Sequence, residues 1–425
     1  MSFTASTYQN EYLPAGAEEV HAVVTVTADA ATVAAAATAK AVVLAVDTSG
    51  SMGHPPTKIQ AARKAVAAAV AEIPDGTLFA VIVGSHEAAC AYPWGGDALV
   101  VADDRTRAEA VEIAGRLEPS GGTAISTWLR LARFLFDPHP GAIKLAYLLT
   151  DGKNESEQRS VLEAELRACT GVFQCDARGV GDAWVVEELR LVTSSLLGEV
   201  DIIATPDEMD DDFRAFLTRA LGKAVADVSL RVWAPQGAAV QFVRQVAPAI
   251  EDLTTKGVDG GPLTRDFPTG AWAGGESRDY HVSVSVPPGA VGEEKLAARV
   301  ALVVDGQAGQ SSLVRAIWTD DEALSTRINP QVAHYTGQTE LADAIHEGLE
   351  ARKAGDEARA TIRLGRAVAI AHASGNEGTV RLLAKVVEVD DPASGTVRLR
   401  REVAALDEMA LDTRSTRTVR VTKKG

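Results

Sequence analysis

One carboxylate and two hydroxyls lie at alternate positions early in the chain, at Asp47, Ser49 and Ser51. They directly follow residues 41–46, an apolar and largely branched run that predicts a buried parallel strand. Side chains just past the carboxyl end of such a strand reach the crevice in which open α/β sheets bind ligands. Oxygen donors suit a hard divalent cation such as Mg²⁺. The stretch therefore predicts a metal-centred binding site, to which other segments must supply the remaining ligands.

Two later segments are expected to reach the same edge of the sheet. Asp151 follows residues 144–149, a largely apolar run that predicts a second buried strand, and Thr123 follows two glycines that let the backbone bend sharply before a helix. Taken singly, a Ser or Thr after a strand often caps a helix, and Asp151 before a glycine is typical of a turn. Their convergence from three loops favours a metal site over these alternatives. The candidate ligands are Asp47, Ser49, Ser51, Thr123 and Asp151.

The surrounding pattern predicts the elements that position these residues. Strands alternate with helices from about residue 40 to 225, which is typical of an α/β domain with a doubly wound, mostly parallel sheet. Beyond it, period-two alternation with Gly and Pro turns predicts an antiparallel β-sandwich, and helical periodicity then predicts a helical module. The predicted segments are 1–39 (strands that join the sandwich), 40–225 (the α/β domain), 226–335 (the sandwich), 336–411 (the helical module) and 412–425 (a basic, flexible tail).

The three ligand-bearing segments resemble a known family. Asp-x-Ser-x-Ser after a first strand, a Thr in a Gly-Gly-Thr loop and Thr-Asp-Gly after a later strand look like the von Willebrand factor A (VWA) domain, over about residues 40–225. The resemblance implies that the five candidates form a metal-ion-dependent adhesion site for Mg²⁺, Mn²⁺ or Ca²⁺, some of them acting through water. It also implies an open metal position for an acidic group of a protein partner.

The layout of the whole chain is similar to intracellular A-domain proteins with an attached β-sandwich, and its alanine- and arginine-rich composition is similar to actinobacterial proteins. In that setting the resemblance implies Ser/Thr kinases or phosphopeptide-binding proteins as partners. Hydroxyls among arginines in the predicted tail are candidate phosphorylation sites, and an ordinary solvated tail is the alternative. These hydroxyls belong to Thr413, Ser415, Thr416 and Thr418.

The function predicted from these observations is a non-enzymatic, metal-dependent adaptor that binds an acidic group of a partner protein. One alternative is an adaptor subunit of an ATPase- or chelatase-type assembly. Another is a metal-dependent hydrolase or phosphatase, but Ser49 stands where the phosphatase pattern needs a second Asp. The chain also lacks the Gly-x-x-x-x-Gly-Lys-Ser/Thr phosphate loop.

Composition limits the classes of partner. A net charge of −16 argues against nucleic acid as a partner, because nucleic-acid binding requires a basic face. No stretch approaches the roughly 18 apolar residues of a membrane span, and the first residues lack the pattern of a signal peptide. The three cysteines are an odd number without metal-ligand spacing. Together these features predict a cytoplasmic protein.

Overall fold

The computed structural model describes residues 3–29, 38–304 and 306–420. The chain forms two compact units, one of which is inserted in the sequence of the other. The inserted unit comprises Ala34–Ala226 and Gly270–Ala273; the flanking unit comprises Met1–Val33, Asp227–Thr269 and Gly274–Gly425.

The elements follow in chain order. The first strands are β1 (Phe3–Gln9), β2 (Tyr12–Pro14) and β3 (Glu19–Ala28). Next come β4 (Lys40–Asp47), α1 (Thr57–Ala71), β5 (Leu78–Gly84), β6 (Ala88–Tyr92), β7 (Val100–Val101), α2 (Asp104–Ala114), α3 (Ile125–Phe136), β8 (Ile143–Thr150), α4 (Arg159–Cys169), β9 (Gln174–Val180), α5 (Val186–Ser195), β10 (Val200–Ile203) and α6 (Met209–Gly222). The following strands are β11 (Lys223–Trp233), β12 (Ala239–Ala247), β13 (Glu251–Asp252), β14 (Val258–Gly261), β15 (Thr264–Ala273), β16 (Ser277–Ser285), β17 (Glu294–Val304), β18 (Gln307–Ala308) and β19 (Ser312–Thr319). The last elements are α7 (Glu322–Ser325), α8 (Pro330–Lys353), α9 (Glu357–Ala373), α10 (Glu377–Val386), β20 (Val387–Asp391), β21 (Thr396–Leu399) and α11 (Ala405–Arg414). Within the described ranges, these helices are too short or too polar to cross a membrane.

The inserted unit is built on a mostly parallel sheet in the order β10-β9-β8-β4-β5-β6, with β7 also paired to β5. The five strands β10, β9, β8, β4 and β5 run parallel, and β6 pairs antiparallel to β5 at the edge. Central strand β4 is buried along residues 41–47, as its continuous apolar run predicts. The α/β fold class is therefore confirmed, and the carboxyl ends of β4, β5 and β8 meet at one edge.

The chain enters and leaves the inserted unit at adjacent points. The Thr38 hydroxyl donates to the Ala224 carbonyl at 3.4 Å, and the Lys40 ammonium donates to the Leu221 carbonyl. The first and last segments of this unit are thus held side by side.

The flanking unit contains two sheets. One has the order β1-β3-β16-β12-β13 and the other β14-β15-β11-β17-β19-β2, with β18 on β17. Strands β3 and β19 belong to different sheets and contact each other, as sandwich packing requires. The hydroxyls of Thr27 on β3 and Ser277 on β16 lie 2.8 Å apart, although 250 residues separate them in sequence. The early segment therefore forms part of the same sheet as strands from beyond the inserted unit.

The helical region contains a hairpin where sequence periodicity predicts helix. Helix α10 ends at Val386, and the chain continues as the hairpin β20–β21, inside the region 336–411 that is predicted as a helical module. The alternation of Val and acidic residues from 387 to 390 suits a strand. A side chain at Gly365 would lie 2.3 Å from the Gly395 carbonyl, so this glycine lets the hairpin turn approach α9 closely.

The prediction of a flexible tail over 412–425 is wrong for residues 412–420. Residues 412–414 complete α11, and the side chains of Thr413 and Ser415 are buried. The Ile250 amide donates to the Thr416 carbonyl at 2.8 Å, and the Thr418 hydroxyl donates to the Val246 carbonyl at 2.7 Å. These bonds order a polar segment whose composition alone predicts disorder. Residues 421–425 lie outside the described residues.

A buried histidine gives the flanking unit a predicted pH dependence. His281 on β16 is buried, with its Nε2 3.2 Å from His21 Nδ1 and its ring edge-on to Phe242. Burial, reinforced by the nearby His21 and Arg244, lowers the pKa of His281 to about 4. In the unfolded chain the same side chain takes up its proton near pH 6.5. The unfolded state therefore binds more protons between these values, and stability falls as the pH drops through this window.

We expect the free energy of unfolding to decrease by about 3 kcal/mol between pH 7 and pH 4 from this residue alone. Urea unfolding of the full chain across this range measures the effect. His281→Gln should remove that part of the slope, whereas His372→Gln, at an exposed histidine of the same unit, should leave it unchanged. An equal slope in wild type and His281→Gln would contradict the assignment.

Candidate metal centre

The first ligand-bearing loop begins where β4 ends. Asp47 is the last residue of β4 and is fully buried. Its Oδ1 accepts a hydrogen bond from the Ser49 amide at 2.6 Å, and its Oδ2 accepts one from the Thr150 hydroxyl at 2.5 Å. Because Thr150 ends β8, these bonds join the ends of two neighbouring strands through the carboxylate.

The hydroxyls of the first loop connect Asp47 to Asp151. The Oγ atoms of Ser49 and Ser51 lie 2.9 Å apart, and the Ser51 hydroxyl donates to Asp151 Oδ1 at 2.6 Å. Asp151 is fully buried and follows β8 directly. Four of the predicted residues thus form one connected group of oxygens at the carboxyl edge of the sheet.

Thr123 joins this group across Gly152. A methyl group built on Gly152 would lie 3.3 Å from Ser51 Oγ and 3.4 Å from Thr123 Oγ1, so the two hydroxyls line the same small space. The Gly50 amide donates to the Gly121 carbonyl at 2.9 Å, which ties the first loop to the loop that carries Thr123. The structure therefore brings together all five residues that the sequence indicated.

Residues that the sequence did not single out brace the Thr123 loop. The Thr123 amide donates to Ser156 Oγ at 3.0 Å, and the Ser156 amide donates to the Thr123 carbonyl at 2.9 Å. Asn154 and Glu157 accept from the first amides of α3, at 2.9 Å from Ile125 and 3.0 Å from Ser126. The sequence gives only a weak indication of this role, namely that these residues lie soon after Asp151. Polar side chains that cap a helix from another segment leave no local sequence pattern.

Close packing at the next strand positions α3, the helix that follows Thr123. Gly84 ends β5 and lies opposite Asp47 in the sheet register. The fully buried Trp128 indole of α3 lies against it, so that a methyl group on Gly84 would be 2.2 Å from a ring atom. The indole Nε1 also donates to the Ser85 carbonyl at 2.8 Å. A glycine is required here because the indole occupies the volume of any side chain.

The site concentrates negative charge in a place with little water. Burial, with a smaller contribution from the Asp151 charge, raises the pKa of Asp47 to about 6 despite the hydrogen bonds from Thr150 and Ser49. A buried carboxylate that is costly to ionise gains most from a cation.

The donor set fits a hard divalent ion. Carboxylate and hydroxyl oxygens are the ligands that Mg²⁺ and Ca²⁺ prefer. Across the described part of the chain, no group of three or more His, Cys, Asp or Glu side chains is arranged to hold a metal. The hydroxyls of Ser51 and Thr123 beside Gly152, close to the buried Asp47, favour a site based on hydroxyl oxygens.

One basic residue at the site was also missed by the sequence analysis. The Lys58 ammonium, from the first turn of α1, donates to Asp151 Oδ2 at 2.6 Å. Its side chain is 17% exposed. The sequence indicates that a helix starts soon after Ser51. The direction in which the Lys58 side chain points, however, depends on the intervening turn at Gly50–Gly53.

Two family profiles match the chain. The von Willebrand factor type A domain matches residues 42–154, and the von Willebrand factor type A C-terminal domain matches residues 369–415. The first match contains all five candidate ligands, and the second includes the β20–β21 hairpin and α11. No curated protein matches the chain.

Among solved structures, the chain is similar to a von Willebrand factor type A protein from the actinobacterium Catenulispora acidiphila. The identity is 48%, the TM-score is 0.94, and the match covers 99% of this chain and 97% of the other. The ArnB paralogue VWA2 from Sulfolobus acidocaldarius matches 98% of both chains at 14% identity and a TM-score of 0.55. Human COPII-coat protein Sec24c matches at 10% identity and a TM-score of 0.53, over 90% of this chain and 58% of the other. The last two likenesses concern the fold alone.

Proposed function

We propose that this chain, which belongs to the von Willebrand factor type A family, is a metal-dependent protein-binding adaptor. Proteins with this domain are typically protein-interaction modules, and their domains commonly bind a metal at the equivalent site. Asp47, Ser49, Ser51, Thr123 and Asp151 would hold the ion. When bound, a divalent ion supplies an electrophilic position for a carboxylate of the partner.

The convergence of three hydroxyls and two carboxylates beside Gly152 is the observation that carries this proposal. Neutral hydroxyls leave more of the cation's charge available to an outside ligand than carboxylates do. The absence of a side chain at Gly152 keeps the space between Ser51 and Thr123 clear.

The geometry favours binding over hydrolysis. A metal-dependent hydrolase needs a base or nucleophile placed to act on the substrate. Here Asp47 accepts from Thr150 and Ser49, and both oxygens of Asp151 are engaged by Ser51 and Lys58. These carboxylates are held as acceptors within the site.

Capture of the partner is expected to depend on the ion. Immobilised full-length protein should retain a specific partner from native lysate in the presence of Mg²⁺, release it in EDTA and bind it again when Mg²⁺ is restored. The variant Asp47→Ala should retain none at any concentration of Mg²⁺. Equal retention with and without EDTA would contradict the proposal.

A further inference from the structure

A lysine is built into the metal centre. Lys58 Nζ lies 2.6 Å from Asp151 Oδ2, while Asp151 Oδ1 accepts from Ser51 at the same distance. The carboxylate is fully buried and the lysine side chain is largely covered. The ammonium is therefore paired with a buried carboxylate that belongs to the site.

This lysine changes the charge balance of the site. The oxygens that the hydrogen bonds connect carry two carboxylates, Asp47 and Asp151, which would together neutralise a divalent ion. With Lys58 present, a site that holds such an ion keeps one net positive charge. In a partly buried position such a charge is weakly screened, so it acts on any anion that approaches.

We propose that Lys58 sets the preference of the site, weakening its hold on the divalent cation and strengthening its hold on the partner's carboxylate. This inference rests on the proposed function. Lys58 is then a specificity residue that contacts Asp151, and its charge acts in opposite directions on the binding of the cation and of the anion.

The test compares Lys58→Met with the wild-type full chain. Methionine retains much of the apolar stem and removes the charge. We expect Mn²⁺ to bind about tenfold tighter to the variant, as measured by an electron paramagnetic resonance titration. This factor is the low end of the change that a neighbouring charge makes to the proton affinity of a carboxylate. At saturating Mn²⁺, acetate should bind about tenfold weaker, as measured by relaxation of its ¹³C-labelled carboxylate.

Two further variants control for side effects. Lys58→Arg keeps the charge and the contact with Asp151, so it should resemble the wild type in both measurements. Lys64→Met makes the same change at an exposed lysine of the same helix and should alter neither affinity. Mn²⁺ should also raise the melting temperature of Lys58→Met more than that of the wild type, because tighter binding stabilises the folded state more.

The outcomes separate the inference from the proposed function. A wild-type chain that binds no divalent ion overturns both. If the wild type binds Mn²⁺ and Lys58→Met has unchanged affinities, only the inference fails. A purely structural role would weaken both affinities, and simple competition between lysine and metal would tighten Mn²⁺ binding without weakening acetate binding; either result overturns the inference.

Discussion

Replacing Asp47 with asparagine is expected to weaken Mg²⁺ binding by more than about a hundredfold, beyond the range usual for residues outside the ligand shell. The substitution removes a carboxylate at the centre of the oxygen group. Isothermal titration calorimetry with Mg²⁺ and Mn²⁺ measures the loss. Asp137→Asn, at an exposed residue of the same unit, makes the same change of net charge and should leave the affinity unchanged.

The metal-free Asp47→Asn protein is expected to remain folded. The asparagine carbonyl can accept from the Ser49 amide, and its NH₂ can donate to the Thr150 hydroxyl, which is able to act as an acceptor. Burial holds the pKa of Asp47 above its value in an unfolded chain, so at pH 7 the charged form costs stability that the neutral amide does not. Urea unfolding at pH 7 in EDTA should show no loss of stability. A marked loss would mean that the carboxylate serves the fold and not the ion.

Gly84→Ala is expected to destabilise the inserted unit by about 3 kcal/mol, the upper part of the usual range for overpacking a core. The new methyl group would lie 2.2–2.6 Å from three atoms of the Trp128 indole. The ring is fully buried and bonded to the Ser85 carbonyl, so it has little freedom to move. Metal affinity should fall as well, because α3 follows directly on the loop that carries Thr123.

A matched variant and a double-mutant cycle define this effect. Gly141→Ala places a methyl group with no atom within 4 Å, so it should alter stability by no more than about 0.5 kcal/mol. In a Trp128→Leu background, Gly84→Ala should cost much less, because the clash is then absent. An equal loss of stability in that background would mean that the Trp128 indole is not the source of the clash. Urea unfolding of the four proteins of the cycle gives the comparison.

Strand-end topology explains how the sequence indicated the site. The apolar run 41–46 predicts a strand buried on both faces, and a parallel sheet brings the ends of β4 and β8 to one edge. Asp47 ends β4 and Asp151 directly follows β8, so their proximity needs no further information. Lys58 is different, because its direction depends on the turn at Gly50–Gly53, which no periodicity describes.

The segment 412–420 shows the limit of composition as a guide. It is rich in Thr, Ser and Arg, and local patterns of this kind are typical of solvated tails. Its order comes from partners far away in sequence, such as the Val246 carbonyl for Thr418, 172 residues distant. Pairings of this kind leave no trace in the local sequence. Candidate phosphorylation of Thr413 and Ser415 is disfavoured because both side chains are buried.

The insertion of one unit in the other has a consequence for synthesis on the ribosome. Thr27 on β3 is synthesised 250 residues before Ser277, its hydrogen-bonding partner on β16. At about 5–20 residues per second, roughly 12–50 s pass before β16 exists. Until then β1 and β3 are an isolated hairpin, which is marginally stable and exposes an unpaired edge.

Early folding of the inserted unit lowers the entropic cost of pairing β3 with β16 once β16 has been synthesised. Once the contacts Thr38–Ala224 and Lys40–Leu221 form, they close the long intervening loop and bring the two flanking segments near each other. The remaining loop-closure entropy is then that of a much shorter chain. Folding of the inserted unit before β16 is synthesised is therefore expected to favour the pairing of the strands on either side of it.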